Sequence, residues 1–241
     1  NIMKSYKLCV GIILFCTLVT LPVFTQSGDQ ILDGIGETGL IARYIFNGDL
    51  EDWSRNNLHA SIQGSDFNFA EDGLFGKVLS LAGDSEVVIS IPGESVTGEE
   101  SLSITGWIYL RSAKSGQMFF DFGKDGMSRF YAAPVGTKDK DGYHAQIATE
   151  SAKHIAGSPA VAVNKWNHLA VVINVPSKTL STFLNGMLVS ETKNATVELA
   201  QLFDNNSGQN NKLYIGKSLA SDNTNLNASL HDFRIYRIPL S

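Results

Sequence analysis

The sequence predicts an all-β fold, a sandwich of two antiparallel sheets, and three observations carry that prediction. Apolar and polar residues alternate in short runs, as they must where one face of a strand is buried and the other is not. Gly, Asn, Asp and Pro punctuate these runs at regular intervals. No stretch has the periodicity of a helix longer than a turn or two. Residues 165–189 show the pattern most clearly. Along 166–174, Leu169, Val171 and Ile173 fall on one face, and Trp166, His168, Ala170 and Val172 on the other. Pro176 and Ser177 mark a reversal, because proline fixes φ and cannot donate to a sheet ladder. A returning strand ends at Asn185-Gly186, which tolerates the positive φ of a tight hairpin, and a third strand follows at 187–189.

Composition sets the bounds. A chain of 241 residues suits one large β-sandwich. Its formal charge of −5, with no basic stripe, disfavours nucleic-acid binding. Residues 3–25 stand apart from the rest. Met3 is followed by Lys4 and Lys7, an apolar run from Leu8 to Leu21, and then Pro22, Val23, Phe24 and Thr25, the pattern of a secretory signal peptide. The rival reading, a membrane anchor, needs about 20 apolar residues; this run is shorter and carries Thr17 and Thr20. Cleavage is expected near Thr25 and Gln26. Cys16 lacks the small residue expected just ahead of a lipidated cysteine. Both cysteines, Cys9 and Cys16, lie inside this segment, so a mature chain cleaved after it is expected to hold no disulfide framework, and, with the apolar run removed, no membrane span. Removing Lys4 and Lys7 takes the charge from −5 to −7. The expected setting is secreted, periplasmic or cell-surface, by a bacterial export route.

The remaining elements follow in order. Residues 26–39, rich in Gly and Asp, form a linker, and the domain occupies 40–241. L-I-A-R-Y-I-F-N puts Leu40, Ala42, Tyr44 and Phe46 on one strand face, ahead of a polar loop holding Asp49, Glu51 and Asp52. Asp72-Gly73 and Phe75-Gly76 turn the chain into K-V-L-S-L, and Gly83-Asp84 turns it into E-V-V-I-S-I. L-S-I-T-G-W-I-Y-L at 102–110 places Leu102, Ile104, Ile108 and Leu110 opposite Ser103, Thr105, Trp107 and Tyr109. Further strands are expected at 119–123, 129–135, 143–148 and 212–216, with a last one in L-H-D-F-R-I-Y. Trp107, Tyr109, Trp166 and His168 are expected to emerge on the outer face of a sheet.

Six of these segments, in this order, resemble the laminin-G-like domains of the concanavalin A-like lectin/glucanase superfamily. They are the strand ending Phe46-Asn47 with Asp52-Trp53-Ser54 in the following loop, G-K-V-L-S-L-A-G (76–83), the Trp107 strand, the Trp166 strand with its Asn-Gly hairpin, K-L-Y-I-G (212–216), and His231-Asp232-Phe233-Arg234-Ile235-Tyr236. Asn47 stands where the family often has Asp, and Ala228 or Ser229 where a glycine is usual. The resemblance covers about residues 40–241 and implies a jelly roll. It also implies that the first and last strands lie side by side.

Catalytic signatures are missing. Laminarinase-type members carry Glu-x-Asp-x-(x)-Glu on one strand, placing two carboxylates about 5–5.5 Å apart; no such spacing occurs here, nor any nucleophile elbow, zinc-helix motif or phosphate loop. The domain itself is expected to be non-catalytic. The resemblance points to one structural calcium ion held by Asp52 and Asp232, with Asn47 and carbonyls around Gly48 completing an oxygen shell. The alternative is that Asp52 caps a turn and Asp232 pairs with Arg234 or Arg43. Sugar binding needs aromatic faces beside hydrogen-bonding groups; the candidates are Trp53, Trp107, Tyr109, Tyr131 and Tyr143. The expected function is a carbohydrate-binding module of a secreted bacterial, polysaccharide-degrading protein, with a catalytic domain attached elsewhere in that protein. An adhesion or protein-interaction module and a glycoside hydrolase of the same fold are the alternatives.

Overall fold

A computed structural model describes residues 38–83, 88–204, 208–220 and 224–241. The expected signal segment 3–25 and the linker up to residue 37 lie outside the described residues. The strands are β1 (Leu40–Tyr44), β2 (Ser61–Gln63), β3 (Phe67–Asp72), β4 (Gly76–Ala82), β5 (Val88–Ile91), β6 (Ser101–Leu110), β7 (Phe120–Gly123), β8 (Arg129–Ala133), β9 (His144–Ala148), β10 (Lys153–Gly157), β11 (Trp166–Asn174), β12 (Thr179–Leu184), β13 (Met187–Lys193), β14 (Lys212–Ile215) and β15 (Asn227–Tyr236). One short helix, α1 (Leu199–Leu202), and a 3-10 turn at Gly93–Val96 complete the described elements.

The strands form two antiparallel sheets. The eight-stranded sheet runs β13-β12-β11-β6-β15-β4-β3, with β1 also paired to β15, and the seven-stranded sheet runs β10-β9-β8-β7-β14-β5-β2. The two-sheet sandwich and its Asn185-Gly186 hairpin are as the sequence predicts, with φ of 52° and 79° at the turn. Short β2, β3 and β10 escape sequence reading because their burial is partial and their polar neighbours blur the alternation. The core lies between the sheets, where Leu102, Ile104, Ile108, Leu169, Val171 and Ile173 face Phe120, Phe122, Phe130, Ala145 and Ile147. Burying each such side chain contributes about 1.5–3 kcal/mol.

Tyr143 also belongs to this core. It is fully buried, and its hydroxyl donates to the carbonyls of Ala170 (3.0 Å) and Phe183 (3.3 Å), tying the β9 end of one sheet to β11 and β12 of the other. Its burial drives the phenol pKa well up. Its expected place at a sugar site is therefore corrected: a phenol that spends its hydroxyl across the core has no face left for a ligand.

One irregularity shapes the eight-stranded sheet. Between β15 and β6 the register shifts after the pair His231 and Trp107, resuming at Arg234 and Thr105. Asp232 and Phe233 thus share a single opposite residue, Gly106, in a β-bulge with Asp232 at φ 50°. Strict alternation from Ala228 and Leu230 would send Asp232 into the core. The extra residue sends Phe233 and Ile235 inward instead and turns Asp232 out. Gly106 admits the bulge, since a Cβ there would lie 3.0 Å from the Phe119 ring and 3.3 Å from Phe233 Cα. Gly106→Val is expected to destabilise the fold by about 1–3 kcal/mol, the usual cost of overpacking, seen as a lower urea midpoint with an unchanged slope.

Candidate functional site: an aromatic cleft on the eight-stranded sheet

The outer face of the central strands is built in rows by the strand register. Trp166, Tyr109 and Ser229 form one row, His168, Trp107 and His231 the next, and Ala170, Thr105 and Arg234 the third. Phe75, from the turn between β3 and β4, sits over the first two rows. Its ring stacks on His231 (4.4 Å between centroids) and meets Trp166 edge-on (4.9 Å) and Trp107 at 5.4 Å. Asp72 pins the turn there: one carboxylate oxygen accepts the N–H of Leu74 and Phe75, and the other accepts the Trp166 indole N–H at 3.1 Å. Burial would raise the Asp72 pKa, but these donors outweigh it and hold the carboxyl below its ordinary value.

Beside this cap opens a cleft of about 540 Å³. Trp107 and His168 form one wall, edge to face at 5.2 Å. Asn185 and Gly186 close one end; the Asn185 side-chain oxygen accepts the His168 N–H at 2.8 Å, and its own N–H donates to the His168 carbonyl. Asp232, Arg234 and Tyr236 from β15 form the opposite wall. A smaller apolar recess of about 160 Å³, lined by Ala170, Val172 and Phe183, adjoins it. Burial, reinforced by the nearby Arg234 charge, lowers the His168 pKa, so its imidazole is neutral at neutral pH.

Asp232 is clamped. Its Oδ1 accepts Arg43 Nε at 2.8 Å and Arg234 Nε at 2.9 Å, and its Oδ2 accepts Arg234 Nη2. Burial works to raise its pKa, but Arg234 and then Arg43 lower it overall. Asp52 is equally committed: Oδ1 accepts the N–H of Arg43 and Ser54, and Oδ2 accepts the Ser54 hydroxyl and the Leu58 N–H. Both acids thus meet Arg43, one at its backbone and one at its guanidinium, as the pairing of β1 with β15 requires. The donor set does not fit the expected calcium ion, because four protein donors saturate Asp52 and two guanidinium groups neutralise Asp232. Asn47 and Gly48 lie exposed on the loop after β1, and among the described residues no group of three or more Asp, Glu, His or Cys side chains is placed to hold a metal ion. Of the two readings of these acids, turn cap and arginine partner describe the geometry.

The expected sugar contacts separate. Trp107 lines the cleft; Tyr109 packs beside it against Trp166 at 5.7 Å. Trp53, 47% exposed, sits on the loop after β1 and does not line the cleft. Tyr131 is corrected along with Tyr143: it is fully buried on the other sheet under the Arg129 guanidinium, 4.4 Å from its ring, with its pKa pushed up by burial to about 12. Asn185, Arg234, Tyr236 and Phe75 were not legible as site residues, since they converge only through register and the bulge.

The clamp makes stability acid-sensitive. A carboxylate whose folded pKa is depressed stabilises fully above its unfolded value of about 3.9 and loses that contribution as pH falls through the lower folded value. Asp232→Asn is expected to cost about 2 kcal/mol at neutral pH, less than a fully buried pair because the arginines are partly solvated, and to flatten the acid limb of a Tm-against-pH curve. With both arginines in place, EGTA should leave the wild-type Tm unchanged. A fall reversed by calcium would show that a cation displaces them.

A laminin-G family model (Laminin_G_3), described as the concanavalin A-like lectin/glucanases superfamily, matches residues 82–241. Comparison with curated proteins finds no match. Among solved structures, domain 4 of AbnA, a GH43 extracellular arabinanase from Geobacillus stearothermophilus, in complex with arabinotriose, is similar with a TM-score of 0.67 and 21% identity, over 84% of this chain and 94% of that one. The binding domain of botulinum neurotoxin DC is similar in two complexes. With rat synaptotagmin II the TM-score is 0.61 at 17% identity, over 84% of this chain and 49% of that one. With SialylT it is 0.60 at 17%, over 84% and 48%. This chain therefore spans about half the length of the toxin domains, and at such identities the likeness is one of fold. With two antiparallel sheets and the family match running from the end of β4 through β15, the chain belongs to the concanavalin A-like lectin/glucanases superfamily.

Proposed function

We propose that the chain is a non-catalytic, lectin-like module that binds carbohydrate in the cleft of the eight-stranded sheet, as part of a secreted bacterial polysaccharide-degrading protein. The observation that carries this reading is the pairing of walls in one cleft: the Trp107 and His168 rings on one side, the Asp232, Arg234 and Tyr236 polar groups on the other. Sugar rings present apolar C–H faces and hydroxyl edges, and the two walls match those two surfaces. The clamp pre-orients the polar wall, so little side-chain entropy is lost on binding. The arabinotriose complex of the similar arabinanase domain supports a glycan ligand. The segment 3–25 supports export. Among the described residues lining the cleft, Asp232 is the one carboxylate, and it is held as an ion pair. Glycoside hydrolysis by two carboxylates has no second partner there, which favours binding over turnover.

A protein-binding role is the second reading, favoured by the similar toxin domain in complex with synaptotagmin II. Met187 and Leu188, exposed at the tip of the hairpin beside the cleft, would be its contact points.

A glycan array with the purified protein, run beside chromogenic glycosides, separates these readings. Glycan retention without turnover is expected. Trp107→Ala should weaken that retention about tenfold or more, corresponding to about 1.4 kcal/mol, while Trp53→Ala leaves it unchanged. Robust hydrolysis, or silence on every glycan with capture of a protein partner, would reverse the assignment.

A further inference from the structure

We propose that the outer face of the seven-stranded sheet holds a second glycan site, so that one module grips two sugar chains, one on each side of the sandwich. The ligand class rests on the carbohydrate-binding reading of the first cleft; the site itself stands on separate geometry.

Alternation along β7, β8 and β9 sends Phe120, Phe122, Phe130, Ala132, Ala145 and Ile147 to the core, and sends Asp121, Arg129, Tyr131, His144 and Gln146 outward. Outward residues of a sandwich are normally solvated, yet these five are all buried. They form an organised polar layer. Asp121 Oδ2 accepts Arg129 Nη1 at 2.7 Å, the Ser218 hydroxyl at 3.1 Å and the Leu219 N–H at 2.9 Å, and the Arg129 guanidinium rests on the Tyr131 ring. A cleft of about 400 Å³ opens over part of this layer, with Arg129 and Gln146 among its lining residues.

Two features of that cleft point to a ligand. Gln146 is 3% exposed, and among the described residues its side-chain oxygen has no hydrogen-bond partner. A buried acceptor left unmatched is a net cost to the fold, and such groups cluster where something else completes them. Arg129 is anchored through Nη1 alone, to Asp121 and Ser218; among the described residues Nε and Nη2 make no hydrogen bond. A fixed acceptor and fixed donors therefore share one cleft, and neighbouring hydroxyls of a sugar ring satisfy both, one donating to Gln146 and one accepting from Arg129. The charges decide against an anion. Arg129 is paired with Asp121, Lys153 with Asp139 at 3.2 Å, and Lys138 and Glu150 add one charge of each sign to the lining. A neutral, hydroxyl-rich ligand suits a cleft so balanced.

Titration calorimetry of the purified protein with a set of neutral trisaccharides, arabinotriose among them, tests this. Wild type should bind two per chain. Gln146→Leu, which removes the unmatched oxygen and leaves a shorter, apolar side chain of comparable volume, should bind one and keep the wild-type Tm. Trp107→Ala should likewise bind one, and the double variant none. A single wild-type site that Gln146→Leu leaves intact and Trp107→Ala abolishes overturns the second site while upholding the first. A single site lost in Gln146→Leu alone upholds the site on this sheet and overturns the first cleft. Absence of heat with every trisaccharide overturns both.

Discussion

The geometry of the eight-stranded sheet depends on one bulge and the ion pairs that hold it. β15 is the strand on which β1, β4 and β6 all pair, so it joins the start of the domain to its end. A positive φ at a non-glycine residue inside a strand is a strained conformation that persists only where surroundings over-determine it. At Asp232 those surroundings are Arg43 from β1 and Arg234 from two residues on, with the Asp232 N–H donated to the Ile45 carbonyl. The same contacts that stabilise the bulge bring a carboxylate and a guanidinium to the sheet surface opposite Trp107. Fold stability and cleft chemistry therefore rest on one set of atoms.

The two outer faces solve the problem of exposed sheet surface differently. On the eight-stranded sheet, a turn folds back and lays Phe75 over Trp107, Trp166 and His231, covering aromatic area that would otherwise face water. Asp72 holds that turn by accepting its two N–H groups and the Trp166 indole, so the cap is fixed rather than resting by contact alone. On the seven-stranded sheet lies a buried polar layer, partly tied together by the Asp121, Arg129 and Ser218 contacts and leaving the Gln146 side-chain oxygen unmatched among the described residues. Burial pushes the Asp121 pKa up to about 6, opposed by the Arg129 charge, as expected of a carboxyl withdrawn from water. Rigid polar groups of this kind lose little freedom when a ligand arrives.

The opening loop has a structural task. Asp52 and Ser54 bind the backbone of β1 and of the loop itself, and the Ser54 hydroxyl and Asn56 amide both donate to the Ile41 carbonyl. A loop held by its own side chains can vary at its exposed positions, among them Trp53 and Asn47, without disturbing the first strand.

Residues 166–189 and 101–110 wrote the fold plainly, because a half-buried strand must alternate and a tight hairpin must have residues that accept positive φ. The sandwich, the Asn185-Gly186 turn and the outward set of Trp107, Tyr109, Trp166 and His168 were all legible on those grounds. Short-range chemistry was legible too: Asp-x-Ser at 52–54 marks a loop cap whatever the fold. What the sequence did not determine were the partners. Tyr131 and Tyr143 look like Trp107 in an alternating strand, and only the packing of loops and of the facing sheet buries the first two and leaves the third beside a cleft. Asp232 was expected as an ion ligand because the resemblance set it beside Asp52; Arg234 and Arg43 stood as the rival partners, and only the fold brings Arg43, 189 residues away, onto its carboxylate. Local alternation fixes which face a side chain takes. Which groups meet across strands depends on register, and register here turns on a single inserted residue opposite Gly106.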